Sequence, residues 1–343
     1  MPLIKLSKFI EKFYLAFTRI LSPEFAKNLT LYFLKIIYQF NLLNLLSSSN
    51  SINSPEIELA GMKFKNKIGL AGGLDKNAEF FHIFGHLGFG FVEVGTVTLE
   101  PQKGNPKPRL FRFVRDKTLV NTLGFNNAGA VKILKNIKKF KPEFNGVLGV
   151  SIGKTKNTKL KNAWKDYLHL MDYFFLEADY LAINISSPNT KNLRELSSNE
   201  NVDFLLKKIS EKKTQLYNLH KKKTPIFLKI SPDESDTNLK NIIQVAEKNN
   251  LDGFICTNTS TNHGYKVSGG MSGSLLSNKS LIIQQKVSEF KSDKSILIAS
   301  GGIMNKDDVE DRFLNSADLV QLYTGYIFYG NVLLKDALEV SSS

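Results

Sequence analysis

The sequence predicts a (β/α)8 barrel carrying an N-terminal helical extension, on three observations. Eight short apolar runs recur from residue 66 onward, helical periodicity fills most stretches between them, and a glycine, amide or hydroxyl motif follows almost every run. Runs nearly continuous in apolar residues suit strands buried on both faces, and eight strand–helix units favour a closed parallel barrel over an open sheet. A length of 343 residues admits one large barrel or two ordinary domains, so pattern decides and length does not.

The extension, residues 1–54, differs in character from the barrel, residues 55–343. Leu3, Leu6, Ile10, Phe13, Phe17 and Ile20 recur at helical spacing with Lys5, Lys8, Glu11 and Lys12 between them. Ser22-Pro23-Glu24 reads as a stop and a new start, with proline at the first helical position. A second, more apolar helix covers LTLYFLKIIYQFNLLNLL, and residues 47–54 form a polar linker. A membrane span needs roughly 20 predominantly apolar residues, whereas Lys35, Gln39, Asn41 and Asn44 interrupt this stretch. The first helix also lacks the unbroken apolar core of a secretory signal. Two amphipathic helices with lysines on their polar sides fit either a monotopic membrane contact or a hairpin packed on the chain's own barrel.

The eight runs are KIGLA (67–71), GFVEV (90–94), GVLGV (146–150), DYLAIN (179–184), PIFLKI (225–230), DGFICT (252–257), SILIAS (295–300) and DLVQLY (318–323). Between the second and third lie Pro101, Gly104, Pro106 and Pro108, then LFRF and TLVNTLGFNN. That stretch is too long for a simple crossover and predicts an antiparallel excursion over the barrel mouth.

Ligands of such barrels bind at the carboxyl ends of the strands. There the sequence sets Gly72, Gly73 and Lys76 after the first run, Thr96 after the second, and Asn184 leading into SSPNT at the fourth. Lys229 ends the fifth run, Thr257-Asn258-Thr259 the sixth, Gly301-Gly302 the seventh and Tyr323-Thr324 the eighth. The last two suit a phosphate held by backbone N–H groups. The set is dominated by neutral amides and hydroxyls with two lysines, which suits a planar heterocycle read by hydrogen bonds beside a flavin.

His82 and His86 stand four apart after the first run but have no third ligand in view, so no metal is expected. The single cysteine excludes an intramolecular disulfide and a four-cysteine cluster, and Cys256, inside the sixth run, reads as a small buried apolar residue. A net charge of +14 fits an anionic membrane surface, nucleic acid, or lysines spread over solvated helix faces. No zinc-finger, helix-turn-helix or RNA-recognition signature is present, so no nucleic acid partner is expected.

In order along the chain, AGGLDK, NTLGFNN, NISSPNT, TNTS, GGMSG, SGGI and VQLYT resemble class 2, quinone-dependent dihydroorotate dehydrogenase, over nearly the whole sequence. The resemblance implies oxidation of dihydroorotate to orotate with flavin mononucleotide (FMN) as cofactor. Ser187 matches the base that takes the C5 proton, with hydride passing from C6 to the flavin. Asn121, Asn184, Asn189 and Asn258, with Thr259 and Lys76, match the pyrimidine-binding group, and Phe125 the residue over the substrate; Lys76 would pair with its carboxylate. Gly72, Gly73, Lys76, Thr96, Ser151, Asn184, Lys229, Thr257, Gly273, Gly302, Tyr323 and Thr324 match FMN contacts, Lys229 stabilising negative charge on the reduced ring. The soluble class carries cysteine where Ser187 stands, so the serine and the N-terminal helices both imply a membrane quinone. Lys27, Arg112 and Tyr323 match its tunnel. A serine hydroxyl is a poor general base alone and needs a proton path through water or a neighbour such as Thr190.

Three positions depart from the family pattern: Ser151 replaces an asparagine that contacts flavin, Lys27 a tunnel histidine, and Ser274 a common lysine. No obligate protein partner is implied. One arginine and two acidic residues in the first 30 positions argue against a mitochondrial transit peptide, so the expected place is the cytoplasmic face of a bacterial inner membrane. Two other readings compete. A related flavin barrel reductase of the dihydropyrimidine or dihydrouridine type would share the fold, although dihydrouridine enzymes use a catalytic cysteine. A non-catalytic flavin- or phosphate-binding module would have no use for Ser187 together with Lys76 and four base-reading amides.

Overall fold

Eight parallel strands close into one barrel, and each arises from one of the eight apolar runs. The computed structural model describes residues 16–43, 46, 54–190, 193–197 and 199–342. In barrel order the strands are β3 (Ile68–Leu70), β4 (Phe91–Val97), β7 (Val147–Ile152), β8 (Tyr180–Asn184), β9 (Ile226–Ile230), β10 (Gly253–Cys256), β12 (Ile296–Ser300) and β13 (Leu319–Leu322). The sheet closes where β13 pairs with β3, Val320 opposite Ile68.

Side chains alternate across each strand, so half of every apolar run points into the barrel. Phe91, Val147, Tyr180, Phe227, Ile255, Ile296 and Leu319 fill its lower part. Glycine makes room for the largest of these rings. A Cβ on Gly149 would lie 2.0 Å from the Tyr180 ring, and one on Gly69 2.4 Å from that of Phe91. A hairpin of β1 (Ile57–Leu59) and β2 (Met62–Phe64) closes the lower mouth, with Met62 and Phe64 in the same apolar cluster. The amino end is therefore plugged, and ligands enter at the carboxyl end.

The expected excursion is present as β5 (Leu110–Phe113) and β6 (Thr118–Asn121). A third strand, β11 (Gly270–Gly273) from the loop after β10, pairs antiparallel with β6, Gly270 opposite Asn121. No periodicity marks GMSG as a strand, and only that pairing makes it one.

In the extension, residues 16–18 are helical and residues 19–20 already form a turn, while the first predicted helix before residue 16 lies outside the described residues, as does most of the linker. The second helix starts at Pro23 as its sequence predicts but stops at Gln39, short of the apolar pattern's end at Leu46. Asn41 takes a left-handed conformation (φ 56°), and the amides of Asn41 and Leu42 return to the carbonyls of Tyr38 and Ile37. This is a Schellman stop, with asparagine at the position that favours glycine. Arg109 grips Glu24 at 2.7 Å, and Arg112 donates to the carbonyls of Thr18, Arg19 and Leu21 at 2.7–3.0 Å. One helix face is thereby pinned to the barrel, with Ala26 and Leu31 buried, while Phe25 (57%), Tyr32 (63%) and Phe40 (71%) stay exposed. The helix therefore packs one face on the barrel and leaves aromatic side chains on the face turned away from it. Among the described residues no helix is long and apolar enough to cross a membrane.

His82 takes part in this packing. Its ring stacks on Phe140 at 4.4 Å with Tyr38 edge-on at 5.0 Å, and burial pushes its pKa down to about 4.

Candidate active site

Two cavities share the carboxyl end of the barrel. The first lies over the strand ends, roofed by Leu123, Gly124 and Phe125 of the excursion, and holds most of the residues singled out from the sequence. Gly72, Gly73, Lys76, Thr96, Asn121, Phe125, Asn184, Ser187, Asn189, Lys229, Thr257, Asn258, Thr259, Gly302, Tyr323 and Thr324 all line it.

Two expected residues do not line it. Ser151 points into the barrel beneath, its hydroxyl 2.9 Å from Thr96 Oγ1, because a serine is too short to pass Thr96. Gly273 sits behind Ser272, where a Cβ would meet the Lys117 carbonyl at 2.3 Å, so this glycine serves the closure of β11 onto the excursion.

The amides are pre-oriented by one another. Asn184 Nδ2 donates to Thr96 Oγ1 (2.9 Å), and Asn258 Nδ2 to Asn184 Oδ1 (3.2 Å) and Ser186 Oγ (2.9 Å). Asn189 Nδ2 donates to Asn121 Oδ1 (2.9 Å), and Asn121 Nδ2 to the Gly270 carbonyl (3.1 Å). Such cross-bracing fixes which end of each amide faces a ligand, so little order has to be imposed on binding. Ser187 is buried, its Oγ accepting the backbone N–H of Asn189 at 3.3 Å, with no histidine or carboxylate partner among its hydrogen bonds. The Thr190 hydroxyl is buried with no protein partner and makes no bond to Ser187.

The two lysines differ in setting. Lys229 Nζ meets Glu93 Oε1 at 3.1 Å in the barrel interior, and Glu93 Oε2 accepts from Gln321 Nε2 (3.0 Å) and the Tyr180 hydroxyl (3.4 Å). Half-buried Lys76 has no such partner, and burial, with the charges of Lys27 and Arg109, pushes its pKa down to about 7.

Sequence reasoning passed over Glu93 and Gln321. Their signal was there: a lone carboxylate and a lone amide interrupt otherwise apolar strands. It also missed Asp233 and Arg194, which tie the Ser187 and Thr259 loops together. Arg194 donates to Asp233 (3.0 Å) and to the carbonyls of Ser186 and Thr259 (3.3 Å each). Burial alone would raise the Asp233 carboxyl, but bonds from Lys279, Ser260 and the Thr261 amide hold it well below the usual carboxylate range.

The second cavity runs between the helix Pro23–Gln39 and the barrel and is the larger, ≈ 160 Å³ against ≈ 120 Å³. Apolar side chains dominate it, among them Ala26, Leu31, Leu34, Leu74, Phe84 and Leu119, with Lys27 and Arg112 at its wall. Tyr323 lines both cavities, so its ring forms part of the partition between them. The three quinone-site residues expected from the sequence, Lys27, Arg112 and Tyr323, thus meet in one apolar chamber adjoining the amide-rich one.

Residues 55–339 match the family described as dihydroorotate dehydrogenase. A Vibrio parahaemolyticus protein named dihydroorotate dehydrogenase (quinone) is 43% identical over 290 residues, covering 82% of this chain and 86% of that protein. One of the same name from Dichelobacter nodosus is 41% identical over 329 residues, covering 94% and 95%. Among solved structures, DHODH from Eimeria tenella in complex with ferulenol superposes with a TM-score of 0.85 at 32% identity, over 93% of this chain and 90% of that one. Its ligand-free form gives 0.83, over 92% and 93%.

Proposed function

This chain belongs to the dihydroorotate dehydrogenase family, and from that premise we propose how its two cavities divide the reaction. The enzyme oxidises dihydroorotate to orotate in pyrimidine biosynthesis with a quinone as electron acceptor. The polar cavity takes the pyrimidine and the flavin, and the apolar cavity the quinone. The observation that carries this division is Tyr323, common to both walls, with base-reading amides on one side and an apolar chamber on the other.

The family is flavin-dependent, and the residues present fit FMN. Gly72 and Gly73 line the cavity without side chains, and neither leaves room for one: a Cβ on Gly72 would lie 2.4 Å from Glu93 Oε1, and one on Gly73 3.3 Å from Tyr323. Gln321 Oε1 is buried with no protein partner at the cavity wall. Gly72, Gly73, Thr96, Lys229, Thr257, Gly302, Tyr323 and Thr324 would hold the cofactor. When bound, FMN supplies a two-electron acceptor for hydride at the substrate's C6.

The remaining work falls to the chain. Asn121, Asn184, Asn189 and Asn258 hydrogen-bond the ring, Thr259 borders it and Phe125 covers it against water. Lys76 pairs with the carboxylate, a charge-assisted contact that also orients C5 toward Ser187. Ser187 Oγ takes the C5 proton and passes it to water at the Thr190 side. Lys27 and Arg112 offer donors to the quinone oxygens.

The exposed aromatic face of the helix Pro23–Gln39 and the basic net charge support peripheral attachment to an anionic membrane, which we assign to the cytoplasmic face of a bacterial inner membrane. Residues 1–54 would form the attachment and tunnel extension, and 55–343 the catalytic barrel.

Anaerobic visible absorbance before and after adding L-dihydroorotate tests the assignment. Rapid bleaching of an oxidised-flavin spectrum is expected, followed by return of colour on adding quinone. A flavin that stays oxidised would discard the substrate assignment.

A further inference from the structure

Arg312, on the helix Lys306–Leu314, is 1% exposed and heads the largest fully buried side chains. Its Nη2 donates to the carbonyls of Gly301 (3.2 Å) and Ser277 (3.0 Å) and to Ser280 Oγ (2.9 Å), and Nη1 to Gln284 Oε1 (3.4 Å). Every one of these acceptors is neutral. Among the described residues no carboxylate lies within ion-pair distance, although Asp308 and Asp311 of its own helix act on it from farther away. A buried guanidinium without a paired anion is costly, and its retention calls for an anion elsewhere.

The place where it bonds points to that anion. Gly301 and Gly302 line the polar cavity, and Arg312 holds the Gly301 carbonyl from the opposite side. Gly302 has φ +73°, and a Cβ there would lie 2.2 Å from Ser277 Cα, so the turn is pressed against the Ser277 backbone that Arg312 also grips. Ser280 Oγ donates to the same Gly301 carbonyl at 2.8 Å. Ser272, Gly301, Gly302 and Thr324 at this end of the lining carry no charge. Of the cavity's two lysines, Lys229 is paired with Glu93 and Lys76 is given to the substrate carboxylate.

We propose that Arg312, from behind the Gly301–Gly302 turn, supplies the positive charge by which the cavity selects a ligand ending in a phosphate. It acts in two ways: its field reaches the cavity through a single layer of backbone, and its bond to the Gly301 carbonyl polarises the Gly301–Gly302 peptide so that the Gly302 N–H becomes a stronger donor. Arg312 is a positioning and specificity residue, and its role rests on the FMN assignment made above.

The test compares FMN with riboflavin, which carries the same ring without the phosphate. Binding of each to the flavin-stripped full chain is followed by fluorescence quenching, for wild type, Arg312→Gln and Arg312→Lys. Wild type is expected to prefer FMN, and Arg312→Gln to lose that preference by on the order of tenfold, with riboflavin binding little changed. Arg312→Lys should keep the preference because it keeps the charge. Equal weakening of both ligands in Arg312→Gln would make Arg312 merely structural and overturn the proposal. If Arg312→Gln does not fold, Arg312→Lys decides: loss of the FMN preference there would overturn it as well. A wild type that binds flavin without preferring FMN would instead remove the FMN assignment itself.

Discussion

Lys229 Nζ and Glu93 Oε1 meet at 3.1 Å across the barrel interior, although their strands β9 and β4 are separated in the sheet by β7 and β8. The contact joins opposite walls directly beneath the polar cavity. Glu93 is fully buried and bonded at both oxygens, which offsets much of the cost of burying a carboxylate.

Removing that carboxylate leaves the lysine buried and unpaired. Glu93→Gln is expected to destabilise the protein by about 3 kcal/mol, the lower end of what breaking one side of a buried pair costs. Urea unfolding of the flavin-loaded protein measures it. An unchanged midpoint would mean that Lys229 draws little from Glu93.

Lys76 makes ligand binding depend on pH. Burial, with the neighbouring charges of Lys27 and Arg109, sets its pKa at about 7 in the ligand-free protein. A bound carboxylate favours the charged amine and raises that value, so above pH 7 binding must take up a proton. Affinity for orotate should be full below pH 7 and fall by up to about tenfold per unit as the pH rises past it. Orotate titrations between pH 6 and 9 check this, and a flat profile would exclude Lys76 as the carboxylate's partner.

Ser187→Ala removes the proposed base without touching the cofactor cradle. Flavin reduction by dihydroorotate should slow by on the order of 10²–10⁴-fold, with flavin content unchanged. Anaerobic stopped-flow absorbance gives the rate. Near-normal reduction would end the role of Ser187.

The two-cavity division predicts mutants that separate the half-reactions. Ala26 is buried at the wall of the apolar cavity, and Ala26→Trp would fill space beside Lys27. Quinone reduction should fall by more than about tenfold while bleaching by dihydroorotate proceeds unaltered. Loss of both half-reactions together would argue against separate chambers.

The sequence by itself determined the barrel, the order of its strands and nearly all of the polar site. These are local properties. Apolar runs name the strands, and in a parallel barrel every strand ends at the same rim, so Lys76, Thr96, Asn184, Lys229, Asn258 and Tyr323 are brought together by topology alone. What the sequence left open depended on partners far apart in the chain and on which way a side chain points. The strand at Gly270–Gly273 exists only through its pairing with Thr118–Asn121. Ser151, two positions beyond Gly149 on the inward face, falls behind Thr96 because of its length. Glu93 and Lys229 find each other because strand alternation turns both inward at one height. The seating of the helix Pro23–Gln39 on the barrel, through Glu24 with Arg109, was likewise settled by packing, since an amphipathic pattern states that a face is buried and leaves its partner unnamed.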